Sequence, residues 1–146
     1  MQGLSNAGKL KNVIGVDLDM TLLDDATGAL HYDVLRYIVS LQKRLKLPVV
    51  LVTARPMWLD GAKESLRSSL ESIRSVSGWS PDCVIAEFGL TTDVTIPTYK
   101  VESLRRRGLV PVLMIDDMPE VLHAMKREFK ALPILAVRGK LEKLAV

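Results

Sequence analysis

Val13-Ile14-Gly15-Val16-Asp17-Leu18-Asp19-Met20-Thr21 is the stretch that decides the fold of this chain. An apolar run of the kind found in buried strands ends in two aspartates spaced i and i+2. Alternate side chains of a strand share a face, so Asp17 and Asp19 project the same way at the point where the strand gives out into solvent. Like charges ~4 Å apart repel by about 4 kcal/mol at an effective dielectric of ~20, and a fold that brings them together usually adds a cation, a proton or both. Loop carboxylates that cap the next element are the competing reading of the same two residues.

Working outward, two more apolar runs end in polar residues. Val49 to Val52 runs into Thr53-Ala54-Arg55, and Leu109 to Ile115, broken only by Pro111, runs into Asp116-Asp117. In an open parallel α/β sheet, sites lie outside the carboxyl ends of the strands, near the point where strand order reverses, so the three endings can converge.

The segments between these runs carry a helical period. Leu35, Ile38, Leu41 and Leu45 recur at steps of three and four, as do Leu59, Ala62, Leu66, Leu70 and Ile73, with Gly78 as a stop signal. Cys83 to Phe88 reads as a further strand, and the threonine-rich loop from Gly89 to Thr98 leads to a short helix carrying Lys100, Val101 and Leu104. After the strand Val110 to Ile115 come a helix from Pro119 to about Phe129 and a strand from Leu132 to Val137. The tail from Arg138 is expected to form a helical turn. Strand and helix alternate with short connections, which predicts an α/β fold: a single Rossmann-like, three-layer α/β/α domain over 13–146 with a five-stranded parallel sheet, preceded by a flexible tail over 1–12. The connection from Thr21 to His31 is hairpin-sized, and Thr53 to Lys100 is used up by one helix and one strand, so no cap domain is expected.

Composition narrows the class. A chain of 146 residues buries about 70% of its unfolded surface in one core and needs neither disulfide nor structural metal to fold. The single cysteine, Cys83, lies in an apolar stretch and reads as an ordinary buried thiol in a reducing compartment. Neither a signal-type apolar segment nor a membrane-length run is present, so a soluble, cytoplasmic protein is expected. The net charge of +3, with a pI near 9.1, permits a polyanionic partner without requiring one. Its clusters, Lys43-Arg44-Lys46, Arg105-Arg106-Arg107 and Lys126-Arg127-Lys130, fall on helices or at their ends, where a solvated face explains them.

With these residues in view, the chain from Val13 to Val137 resembles the haloacid dehalogenase superfamily of phosphohydrolases, of the type without a cap. Asp17-Leu18-Asp19-Met20-Thr21 resembles the first motif of that family, Thr53 with Ala54-Arg55 the second, Lys100 the third and Asp116-Asp117 the fourth. The resemblance implies a magnesium-dependent phosphomonoester hydrolase. Asp17 would attack phosphorus and become an aspartyl phosphate; Asp19 would protonate the leaving oxygen and later help activate water. Asp17, Asp19 through its backbone carbonyl, Asp116 and Asp117 would surround Mg2+. Thr53 and Lys100 would bind the phosphoryl oxygens, with Arg55 as a substrate contact or a brace for its loop.

Three positions keep rival readings. Asp117-Met118-Pro119-Glu120 also reads as a helix capping box, Lys63 competes with Lys100 for the third motif, and Trp58 fits either stacking on a base or packing on the neighbouring helix. His31 and His123 read as exposed or satisfied helix histidines. The segment from Lys100 to Val137 is more loosely similar to the phosphatase half of phage-type polynucleotide kinases. That similarity implies a nucleic-acid 3'-phosphate end or a nucleotide as substrate, and the Arg105 to Arg107 run fits it. The alternatives are a small-metabolite phosphatase whose open site is closed by oligomerisation, and a binding module that keeps the fold without turnover.

Overall fold

The computed structural model describes residues 9–89 and 94–143. Among these residues strand and helix alternate up to the last two strands, which follow one another directly: β1 (Lys11–Val16), α1 (Tyr32–Leu45), β2 (Val49–Val52), α2 (Ala62–Ser77), β3 (Cys83–Ile85), α3 (Ile96–Arg106), β4 (Leu109–Asp116), α4 (Pro119–Phe129), β5 (Leu132–Val137) and β6 (Lys140–Lys143). They build one sheet in the order β3-β2-β1-β4-β5-β6, parallel except for β6, which runs antiparallel to β5. Strand order reverses between β1 and β4, so the endings of β2, β1 and β4 lie side by side.

The three layers follow from strand periodicity. Val49 and Leu51 point to one face of the sheet with Ile14, Val16 and Ile115, where Leu35, Ile38 and Leu41 of α1 and Leu66 and Ile73 of α2 cover them. Val50, Val52, Val13 and Met114 point to the other face, under Val101 and Leu104 of α3 and Val121, Leu122 and Met125 of α4. Gly15 sits against Met114: a Cβ there would come within 2.6 Å of Met114 Sδ, so a larger residue requires that side chain to move. Pro111 stands inside a central strand without an N–H to give, and the pairing of β1 with β4 accommodates it by a register shift between Val13 and Ile14. Gly78 closes α2 as expected, with φ 75° and its N–H on the Arg74 carbonyl at 2.7 Å.

The sheet has six strands rather than five. The tail expected to form a helical turn is instead β6, reached from β5 by the two-residue turn Arg138-Gly139, both at positive φ, which is the geometry that lets a strand fold straight back. The third strand ends at Ile85 rather than Phe88, β4 extends to Asp116, and β1 begins at Lys11, ahead of the expected core boundary at 13. Residues 1–8 of the expected tail and 90–93 of the threonine-rich loop lie outside the described residues. Cys83 is half-buried rather than buried. No helix among the described residues is long and apolar enough to cross a membrane.

Candidate active site

At the end of β1, Asp17 is held from three sides. Its N–H donates to the Ile115 carbonyl at 2.9 Å, its Oδ2 accepts from the Thr21 hydroxyl at 3.1 Å, and its Oδ1 accepts from Lys100 Nζ at 2.8 Å. Met20, at φ 64°, turns the chain so that Thr21 folds back onto Asp17. The loop is fastened below by His31. The Nδ1 of His31 lies 2.9 Å from the Thr21 carbonyl, an atom that can only accept, so that nitrogen carries the proton.

Lys100 comes from the first turns of α3 and reaches Asp17 and Asp116 together, its Nζ 2.7 Å from Asp116 Oδ2. The lysine and both carboxylates are buried. Burial works against the ammonium, but the charges of Asp17 and Asp116 outweigh it and hold Lys100 above its ordinary range. Burial, then the charge of Asp17, pushes Asp116 up to about 6 against the pull of Lys100. Asp117 is pushed up to about 8, first by burial and then by its hydrogen bond to Asp17 and that residue's charge.

One carboxylate oxygen from each of Asp17, Asp116 and Asp117 falls within 4.8 Å of the others, so a single ion can be reached by all three. The Asp19 carboxylate stands outside that cluster. Arg55, from the loop after β2, grips it with both arms, Nε to Oδ2 at 2.8 Å and Nη2 to Oδ1 at 2.9 Å. The third nitrogen of that guanidinium, Nη1, is buried without a hydrogen-bond partner among the described residues. Four acidic side chains thus face two cations, Lys100 and Arg55, and the hard oxygen donors of Asp17, Asp116 and Asp117 suit a divalent cation of the magnesium type, whose charge would favour their ionised forms.

Thr53 is buried at the end of β2, its hydroxyl 3.2 Å from the Arg55 N–H. Its carbonyl accepts a 2.8 Å hydrogen bond from the Tyr99 hydroxyl, which in turn accepts from the Glu87 N–H at 3.0 Å. Tyr99 therefore ties the loop carrying Thr53 and Arg55 to the helix carrying Lys100.

No protein-family model and no curated protein matches the chain. Solved structures do, among them these two. A chain of a Pnkp1/Rnl/Hen1 complex aligns over 90% of this chain with a TM-score of 0.64 and 16% identity, and this chain spans 47% of its length, about half. The D,D-heptose 1,7-bisphosphate phosphatase from B. bronchiseptica, solved with magnesium and phosphate, aligns over 89% of this chain and 83% of its own, with a TM-score of 0.58 and 16% identity. The chain has the haloacid dehalogenase fold.

On that fold, the residues singled out from sequence fall into two groups: Asp17, Lys100, Asp116 and Asp117 form the inner cluster, and Asp19 with Arg55 forms the outer pair. Thr53 joins them through its contact with the Arg55 backbone. The rival third-motif residue, Lys63, is exposed on α2. The capping box expected at Asp117 does not form. Met118 is the N-cap residue of α4 and makes no side-chain cap bond; Asp116 Oδ1 instead accepts from the Met118 N–H at 3.0 Å, which orients that carboxylate. Trp58 packs against Phe88 with the rings tilted by 48° and 5.9 Å between ring centres, and remains 42% exposed. The arginine run is already engaged: Arg105 pairs with Glu102 and Glu128, and Arg106 and Arg107 with Glu87. Tyr99 was not legible as a site residue from the sequence; its only signal is its place beside Lys100.

Proposed function

We propose that this chain is a magnesium-dependent phosphomonoester hydrolase that works through an aspartyl phosphate on Asp17. The observation that carries the reading is the buried Lys100 ammonium shared by Asp17 and Asp116, with Asp117 alongside, at the carboxyl edge of the sheet. Asp17, Asp116 and Asp117, with the Asp19 main-chain carbonyl, would hold the metal, which when bound offsets charge on the phosphoryl group.

The side chains divide the remaining work. An Asp17 carboxylate oxygen forms the new bond to phosphorus as the bond to the leaving oxygen breaks, and Asp19, protonated after one of its oxygens parts from Arg55, supplies the proton that oxygen takes. In the second half, Asp19 takes a proton from water as the water oxygen attacks phosphorus and Asp17 is released. Thr21 and Lys100 orient Asp17 throughout, while the Thr53 hydroxyl and Lys100 serve the equatorial oxygens. Arg55 holds Asp19 in position, and its free Nη1 is a donor suited to an anionic substrate.

For the substrate, we favour a nucleic-acid 3'-phosphate end or a nucleotide. Support comes from the likeness to a chain of the Pnkp1/Rnl/Hen1 complex and from the absence, among the described residues, of any domain over the site. The likeness to the heptose bisphosphate phosphatase favours a second reading, a small phosphorylated metabolite whose site a neighbouring subunit closes. The paired state of Arg105 to Arg107 removes one argument for the nucleic acid. Phosphate release from a 3'-phosphorylated oligonucleotide, its 5'-phosphorylated counterpart and a panel of small phosphomonoesters separates them. Strong 3' preference is expected; activity confined to small molecules overturns the nucleic-acid reading and leaves the chemistry standing.

A further inference from the structure

The two edges of the sheet are built differently. On β6 the exposed side chains are Lys140, Glu142 and Lys143, charges of the kind that keep a sheet edge from pairing with another chain. At the other edge, β3 is Cys83-Val84-Ile85 and carries no charge at all. The Ile85 carbonyl accepts from the Thr53 N–H, toward β2, so the two-residue period turns the backbone groups of Val84 and Ala86 outward.

Those outward groups face a groove of about 560 Å³ between β3 and α2. Its floor is aliphatic, formed by Met57, Leu66, Leu70, Val84 and Ala86. Its rim is basic: Lys63, Arg67 and Arg74 from α2, and Arg107 from across the edge. Glu71 pairs with Arg74 and Glu87 with Arg107, while Lys63 and Arg67 have no carboxylate partner among the described residues.

We propose that this groove binds an extended, acidic segment of a protein partner by adding it as a strand beside β3. Main-chain bonds to Val84 and Ala86 supply affinity, and the alternate side chains that face α2 do the rest, apolar ones filling the floor and acidic ones on the same face meeting Lys63 and Arg67. A second copy of this chain fits poorly, because two-fold pairing of β3 with itself sets the same basic rims against each other. A nucleic-acid strand fits poorly as well, since the lining offers no aromatic side chain on which a base can stack. The inference stands apart from the phosphatase reading: none of the lining residues belongs to the carboxylate site.

Fluorescence anisotropy of the full chain with a fluorescein-labelled peptide whose alternate positions read glutamate, valine, valine, glutamate, with serine at the positions between them, tests it. Saturable binding that weakens with salt is expected, with a loss of roughly tenfold or more in the double variant Lys63→Glu, Arg67→Glu. The same peptide with methylated backbone nitrogens should not bind. Both substituted positions are exposed, so melting and hydrolysis of an aryl phosphate should be unchanged. Absence of binding, equal binding of the methylated peptide, or equal binding of an oligonucleotide of matched charge overturns the proposal. So does self-association that the double charge reversal abolishes, which assigns the groove to a second copy.

Discussion

Replacing Lys100 by methionine keeps the length of the side chain and removes its charge. The ammonium lies 2.8 Å from Asp17 and 2.7 Å from Asp116, and only 2% of the lysine side chain is exposed. At an effective dielectric of ~20 each contact is worth about 6 kcal/mol before desolvation is counted. Removing one member of a buried ionic group costs about 3–5 kcal/mol, because the carboxylates left behind are unpaired. The pKa of Lys100 is raised on folding, so its contribution is complete below its unfolded value of 10.5 and is lost only as pH rises through the folded value; an assay at pH 7 reads all of it. Urea unfolding followed by circular dichroism should show the loss, and Tm should fall by roughly 10 °C. Adding Asp116→Asn to Lys100→Met should recover part of it by relieving the repulsion between Asp17 and Asp116. A loss under about 1 kcal/mol, or no recovery in the double variant, would refute the buried-triad reasoning.

Tyr99→Phe leaves the Thr53 carbonyl without its donor and should cost about 1–3 kcal/mol in urea unfolding, with a larger effect on kcat than on the fold because the loop bearing Thr53 and Arg55 is freed. Gly108→Ala should cost about 1–2 kcal/mol, since Gly108 sits at φ +66° and a Cβ would stand 3.1 Å from the Lys9 carbonyl; an unchanged melting temperature would contradict the strain. Glu87 is held down to about 2, first by its hydrogen bond to Arg107 and with Arg106 adding to it, against an ordinary value of 4.5. Its contribution is therefore present above pH 4.5 and fades as pH falls toward 2, so the stability gap between the natural chain and Glu87→Gln should close over that window. Magnesium should raise Tm by mass action at the three-carboxylate cluster, and Asp117→Asn should weaken that rise.

How much of this was legible in the sequence depended on how local the signal was. The spacing of Asp17 and Asp19 at a strand end, and the recurrence of polar residues after Val52 and Ile115, express the two-residue strand period directly, and the structure brings those endings together. The β6 strand was missed because its turn, Arg138-Gly139, places an arginine at positive φ, a position where glycine or asparagine is the usual marker. The Asp117 capping box failed for a tertiary reason: Asp116 is drawn to Lys100 with one oxygen and orders the helix start with the other, leaving Asp117 to the acidic cluster. Arg55 could not be read as brace or substrate contact, since its partner Asp19 lies 36 positions away in sequence. The basic run at Arg105 to Arg107 looked available only because Glu87 and Glu128 meet it through the fold.

The central claim is that Asp17 performs metal-assisted phosphoryl transfer. Steady-state phosphate release from an aryl phosphate with magnesium, for the natural chain beside Asp17→Asn and beside the natural chain in chelator, tests it most directly. Release by the natural chain with magnesium, and loss of that release in both other samples, is the expected result. Full activity in Asp17→Asn or in chelator would contradict it, and no release by the natural chain from this or any phosphomonoester would leave a binding module on the same fold.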